Sequence, residues 1–299
     1  MRNTIPLIGA DPRSSEALAK VRVLYTDLDG TFVAPGGSIF ADNTGAPSTA
    51  VAEAIVALAR AGLAVVPISG RSRLQLRELT QLAGWDGYIA EAGGIIVHGT
   101  GLDAEVRVDR GTWPADVPTD GITPFAAINA VGAAEALIAA FPGRIEHYAP
   151  WQMDREVSLL LRGCLDQAEG QAVLDTLTLP LDFVDNGMLR NRGGLQCGDR
   201  TPHAYHVVPR GVSKARAIEL DLAWRGLSRE QAAAIGDSAT DLDMADAVGV
   251  MTLVDNAFSS AGVLGSLGAT PRDNVWRAEG QRTDGWAEFA SEWIRSTSL

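Results

Sequence analysis

Two carboxylates, Asp27 and Asp29, stand one residue apart in the run Asp27-Leu28-Asp29-Gly30-Thr31. On one turn they repel each other unless a positive group lies between them, and Gly30 frees the backbone to bend its own polar groups toward such a guest. A divalent cation suits that arrangement, and a solvated acidic turn is the plainer alternative for these five residues alone. Three further polar clusters follow: Ser69-Gly70-Arg71, Gly211-Val212-Ser213-Lys214 and Gly236-Asp237-Ser238-Ala239-Thr240-Asp241. Lys214 opens a helical pattern, where a cation opposes the macrodipole by roughly a few tenths of a kcal/mol; either it binds an anion there or it is an ordinary surface lysine.

The segments around these clusters say how they would be positioned. Apolar, β-branched runs at residues 21–26, 63–68, 88–90, 232–235 and 248–251 read as strands. Between them lie helical patterns, one with Val51, Ile55 and Leu58 on a face and ending at Gly62, one with Leu74, Leu79 and Leu82, and one with Ala215, Ile218 and Leu222. Strands alternating with helices predict a Rossmann-like, doubly wound parallel sheet, which binds ligands at the carboxyl ends of its strands.

From Gly93 the pattern changes to strands at 95–98, 105–108, 144–148, 157–161, 181–184 and 205–208 with helices at 133–141 and 167–177. Asn186-Gly187 is the strongest hairpin-turn signal in the chain. The expected organisation is an α/β core, residues 1–92 with a loosely held leader at 1–20, an inserted α+β cap at 93–208, and a return to the core at 209–299. Residues 109–123 and 190–202 read as long loops, and Trp286, Phe289 and Trp293 read as core.

The chain has 299 residues, 46% of them hydrophobic, and can bury a large core. Its formal net charge of −12 argues against nucleic acid or an anionic membrane as partner, so an anionic substrate must be held locally. No apolar run approaches the ~18 residues of a membrane span, and a soluble, cytoplasmic protein is expected. Cys164 and Cys197 match no metal-binding or redox spacing and read as two separate thiols, buried or half-buried.

Taken in order, Asp27/Asp29, Ser69, Lys214 and Asp237/Asp241 resemble the haloacid dehalogenase-like superfamily of phosphatases, whose signature is D-x-D-G-T, a Ser or Thr after the second strand, a Lys at a helix start, and G-D-x-x-x-D. The likeness spans nearly the whole chain from Val21. The long gap between Ser69 and Lys214 resembles the Cof-type, sugar-phosphatase-like branch, with its α+β cap between the second and third motifs. The resemblance implies a Mg²⁺-dependent phosphatase acting on a small phosphorylated metabolite, such as a sugar phosphate, through an aspartyl-phosphate. It implies Asp27 as nucleophile, Asp29 as general acid and base, and Ser69, Gly70 and Lys214 around the phosphate. It also implies Asp27, Asp29 (by its carbonyl) and Asp237 as metal ligands, with Ser238 and Asp241 supporting them. Within the cap, Arg190 and Arg192 are candidates for reading the leaving group; Arg155, Arg200, His203 and His206 are weighed against ordinary surface roles. Two positions depart from the branch: Thr240 and Ala92 each stand where Asn is frequent. A phosphomannomutase-like phosphotransferase and a catalytically silent ligand-binding protein on the same fold are the alternatives.

Overall fold

The computed structural model describes residues 2–114, 117, 121–189 and 193–298. The first half of the chain runs α1 (Pro12–Leu18), β1 (Val23–Thr26), α2 (Ala50–Ala61), β2 (Ala64–Pro67), α3 (Arg73–Leu82), β3 (Tyr88–Ala90), β4 (Ile95–His98) and β5 (Glu105–Val108). There follow α4 (Pro124–Ala130), α5 (Ala133–Ala140), β6 (Ile145–His147), β7 (Leu159–Gly163), α6 (Gln167–Leu174), β8 (Leu181–Met188) and β9 (His203–Pro209). The chain ends with α7 (Lys214–Arg225), β10 (Ala232–Gly236), α8 (Ala239–Leu242), β11 (Val250–Leu253), α9 (Ala261–Ala269), β12 (Val275–Arg277) and α10 (Arg282–Thr297).

The expected parallel sheet is present, in the order β12-β11-β10-β1-β2. β1 is buried along its whole length because helices cover both faces: Leu24 enters the apolar cluster on one side, Val23 and Tyr25 the cluster on the other. The segment between β2 and α7 carries a second sheet, antiparallel in the order β6-β7-β9-β8, packed by α4, α5 and α6 over Leu137, Leu159, Leu161, Phe183 and Tyr205.

Several expectations need correction. β4 and β5, expected in the insert, pair antiparallel onto β3, which a parallel bridge between Ile68 and Ile89 ties to β2, and Ile95, Ile96 and Val97 are buried in the clusters of the core. We therefore place the start of the cap after Val108. Asn186-Gly187 does not turn the chain: β8 runs through it with a register shift between Asp185 and Met188, and Gly187, at φ 103°, relieves the irregularity. On α3 the buried residues are Leu76 and Thr80, while Leu74 and Leu82 are exposed. The leader is not loose. Leu7 bridges Arg277 of β12, Ile8 donates to the Arg277 carbonyl at 2.9 Å, and Ile8 and Leu18 are core. Cys164 and Cys197, read as separate thiols, are joined as a disulfide with Cα atoms 5.4 Å apart, a neighbourhood that a separation of 33 residues hides in the sequence.

The two sheets are clamped by one buried carboxylate. Glu91, just after β3, is fully buried; its Oε1 accepts from the Glu156 N–H at 2.9 Å, and its Oε2 from the N–H groups of Val157 (3.0 Å) and Ser158 (2.7 Å) and from the Ser158 hydroxyl (3.1 Å). A carboxylate offers acceptors only, so it matches this cluster of donors. Glu91→Gln turns an NH₂ group onto one set of donors and should cost roughly 1–3 kcal/mol. The expected outcome is a midpoint of thermal unfolding several degrees lower; an unchanged midpoint would mean that the clamp adds nothing to stability.

Candidate active site

Each chemistry-bearing residue stands where a strand has just ended or a helix just begins. Asp27 follows β1 and its N–H donates to the Ile235 carbonyl of β10 at 3.0 Å, so β1 and β10 deliver Asp27 and Asp237 side by side. Gly30, at φ 97°, closes the turn after Asp29, and a Cβ there would collide with the Asp237 carboxylate. Ser69 follows β2 and is buried. Lys214 is the first residue of α7, whose N-cap Ser213 accepts from the Arg216 N–H at 3.2 Å.

The structure brings Asp27, Lys214, Asp237 and Asp241 together. Buried Lys214 donates through Nζ to Asp27 Oδ1 at 2.7 Å and to Asp241 Oδ1 at 2.6 Å. Carboxylate oxygens of Asp27, Asp237 and Asp241 lie within 4.8 Å of one another. The second Asp241 oxygen accepts from the N–H groups of Asp237 (3.1 Å) and Ser238 (2.9 Å) and from the Ser238 hydroxyl (2.6 Å). Asp241 is thus occupied by protein partners on both oxygens, whereas among the described residues the Asp237 carboxylate accepts from Thr31 Oγ1 (3.2 Å) and Asn256 Nδ2 (2.9 Å) alone.

The electrostatics follow from crowding three acids with one lysine. Burial pushes the Asp27 carboxyl well above the usual range and the Asp241 charge adds to this, although Lys214 opposes both. Burial and then Asp241 push Asp237 up to about 7. For Lys214, burial alone would lower the pKa, but the Asp241 and Asp27 carboxylates together outweigh it and hold the ammonium charged. Buried, mutually repelling oxygen donors with one cation among them fit a hard divalent ion.

Asp29 stands apart from this cluster. Its carboxylate accepts from Arg71 Nε at 2.9 Å and Arg71 Nη2 at 2.6 Å, on the wall of a cleft of about 980 Å³ between the two sheets. Ser69, Gly70, Asp237 and Ser238 line the same cleft, with Tyr148, Trp151, Asn186, Met188 and His206 on the cap side and Arg282 from the tail. The contact at Gly70 is close: a Cβ there would stand 2.5 Å from His206 Nε2 and 2.8 Å from Asn186 Nδ2. Position 70 therefore has no room for a side chain against His206 and Asn186.

The other cap candidates divide. Arg155 is buried; it donates to the Gly70 carbonyl at 2.9 Å and to Ser158 Oγ at 2.8 Å, and burial lowers its pKa to about 10. It braces the cleft wall. Arg200 pairs with Glu169 and Asp166, and His203 with Asp185. His206 is buried against Ser158 Oγ, and burial followed by the nearby Arg155 and Lys214 charges keeps its ring neutral. Arg190 and Arg192 lie outside the described residues.

Three participants went unrecognised in the sequence. Arg71 was visible beside Ser69 but its partner was not. Asn256 donates to both the Gly30 carbonyl and Asp237 Oδ2 at 2.9 Å, and its own Oδ1 accepts from the Arg282 N–H at 2.9 Å. Neither Asn256 nor Arg282 falls in a local pattern that would single it out.

A family model described as haloacid dehalogenase-like hydrolase matches residues 187–261. Curated proteins named phosphoglycolate phosphatase are similar over 238 residues: one from Methanoculleus marisnigri at 27% identity and one from Methanospirillum hungatei at 26%, each alignment spanning 79% of this chain and 85% of the relative. Among solved structures, the sucrose-phosphatase from Synechocystis sp. PCC6803, in complex with sucrose and phosphate, superposes with a TM-score of 0.61 at 16% identity over 91% of this chain and 97% of its own. The Thermoplasma acidophilum 0175 protein gives 0.58 at 15% identity, over 91% and 98%. These structures share the fold.

A carboxyl whose pKa is raised on folding makes the native state bind more protons than the unfolded chain between the two values, so stability falls as pH rises through that window. For Asp237 the window runs from the ordinary aspartate value of 3.8 to about 7. Without divalent ions, the unfolding midpoint should therefore drop between about pH 4 and 7, and added Mg²⁺ should raise it more at pH 8 than at pH 5, where the ion competes with protons. A Mg²⁺ effect equal at both pH values would argue against binding by these carboxylates.

Proposed function

We propose that the chain is a haloacid dehalogenase-like hydrolase, a Mg²⁺-dependent phosphatase of a small phosphorylated metabolite working through an aspartyl-phosphate, a reading that the family match over residues 187–261 and the phosphatase-named relatives support. The observation that carries the reading is the convergence of buried Asp27 and Lys214 with half-buried Asp237 at the carboxyl ends of neighbouring parallel strands, with Ser69 at the end of the next one.

An Asp27 oxygen bonds to phosphorus as the bond from phosphorus to the leaving oxygen breaks, and Asp29 gives that oxygen its proton. Asp29 then takes a proton from a water molecule whose oxygen attacks the same phosphorus, and the Asp27 acyl phosphate opens. Lys214, the Ser69 hydroxyl and the Gly70 N–H hold phosphoryl oxygens, while Arg71 fixes the direction of the Asp29 carboxylate. Asp27, Asp237 and the Asp29 carbonyl would hold the metal, which supplies the positive charge that lets an anionic nucleophile approach an anionic phosphoryl group.

With Mg²⁺ present, a screen that includes phosphoglycolate, suggested by the named relatives, and sugar phosphates, suggested by the cap, tests the class by phosphate release. Asp27→Asn should abolish turnover in a folded protein, and Asp29→Asn should slow both formation and breakdown of the intermediate; substantial turnover by Asp27→Asn would refute the nucleophile assignment. Transfer of the phosphoryl group to a sugar hydroxyl in place of water would instead identify a mutase.

The core residues meet only the phosphoryl group, so selectivity belongs to the cap. Arg190→Ala or Arg192→Ala should lower kcat/KM for the best substrate by about tenfold or more, while leaving p-nitrophenyl phosphate turnover nearly unchanged. Equal losses on both substrates would assign these arginines to phosphate binding or folding.

A further inference from the structure

The bridge between Ile68 and Ile89 joins the three antiparallel strands to the parallel sheet, so the combined sheet has two edges, β12 and β5. The chain treats them differently. At β12 the N-terminal segment lies alongside: Arg277 donates to the Pro6 carbonyl and accepts from Ile8, both at 2.9 Å. At β5 no strand lies beyond among the described residues, and Glu105, Val106, Arg107 and Val108 are all exposed, Val106 at 41% and Val108 at 40%. No proline or lysine blunts this edge; Glu105 and Arg107 put one charge of each sign on it, Arg107 with its guanidinium over the Trp224 ring, and an unpaired row of N–H and C=O groups is a template for another strand.

The backbone sets which groups are offered. Asp109 donates to the Gly94 carbonyl at 2.9 Å, and antiparallel bonded pairs alternate, so Arg107 bonds Ile96 and Glu105 bonds His98 across the ladder. Val106 and Val108 therefore turn their N–H and C=O groups outward. A second copy pairing antiparallel must use these residues, which leaves three nearby registers. Centred on Val106, Val106 bonds its own equivalent, and Glu105 stands opposite Arg107 of the second copy twice, once on each side of a two-fold axis. With Val106 set against Val108, Arg107 faces Arg107; centred on Val108, Arg107 faces Asp109, whose buried carboxylate already accepts from Arg216 Nε at 2.8 Å. Like charges directly opposite are destabilising, and only the register about Val106 pairs opposite charges that are both exposed.

We propose that β5 is a homodimer interface, in which two copies join edge to edge about Val106 into one continuous sheet. An edge of four residues is small against the area of a standard interface, so the dimer is reversible and depends on protein concentration. Leu102, fully exposed on the turn before β5, extends the contact at each end.

Sedimentation equilibrium of the full chain over a range of concentrations tests this directly. The unaltered protein should show a monomer–dimer equilibrium, with E105R or R107E weakening it about tenfold or more, E105R/R107E restoring it, and V106P abolishing it. Circular dichroism and the unfolding midpoint check that each variant is folded. On the unaltered chain, amide exchange at Val106 and Val108 should slow as concentration rises, a readout that needs no variant. The proposal is overturned by a monomer at every concentration, by a dimer indifferent to E105R and V106P, or by a double swap no better than its single variants.

Discussion

The site rests on one electrostatic constraint: three carboxylates and one ammonium share a buried space at the carboxyl edge of the parallel sheet. Two like charges about 4 Å apart cost roughly 4 kcal/mol at an effective dielectric near 20, so Asp27, Asp237 and Asp241 cannot all be ionised there without compensation. Lys214 supplies one positive charge. It can do so only if α7 begins at that point, which the Ser213 cap at one end and Gly226, at φ 68°, at the other help define. Removing one partner of such a buried group leaves an uncompensated charge, so the fold of α7 and the chemistry of Asp27 are tied together.

Support for the strand that carries Asp27 comes from distant parts of the chain. Trp286 of α10 is buried and donates through its indole N–H to Thr26 Oγ1 at 3.0 Å, and its ring meets Phe32 edge-on at 4.9 Å between centroids. On the other face, Asp221 of α7 is fully buried and accepts from the Tyr25 hydroxyl at 2.6 Å and from Arg225 Nε at 2.6 Å. Tyr25 and Thr26 are thus anchored on opposite faces, immediately before the candidate nucleophile. For the in-line attack proposed for Asp27 such rigidity matters, because small misplacements are expensive in rate.

The cap bears on the site through a few buried polar contacts. Glu91 accepts from the backbone at Glu156, Val157 and Ser158, and Arg155 donates back to the Gly70 carbonyl. Both involve charged groups taken out of water, which is tolerable because each is matched by several partners. Glu91 and Ala92 also carry left-handed backbone, at φ 53° and 60°, a conformation costing roughly 1–2 kcal/mol for a residue with a side chain. At position 92, where this chain departs from the Asn frequent in the branch it resembles, Ala lacks the short polar side chain that eases such a conformation.

What the sequence determined by itself is the part of the protein governed by local rules. Apolar strand runs ending in Asp27, Ser69 and Asp237, and a capped helix starting at Lys214, are short-range patterns, and the order of those motifs carried the parallel sheet and the candidate site with them. Tertiary structure decided the rest, because the deciding contacts join residues far apart in the chain. Arg71 reaches Asp29 across 42 positions, Asn256 reaches the Gly30 carbonyl across 226, and Cys164 meets Cys197 across 33. The strands at Ile95 and Glu105 look from their alternation like part of an antiparallel insert, and they are antiparallel; only the bridge from Ile68 to Ile89 makes them an extension of the core. Alternation reports that a strand has two faces, and it carries no information about which sheet will cover them.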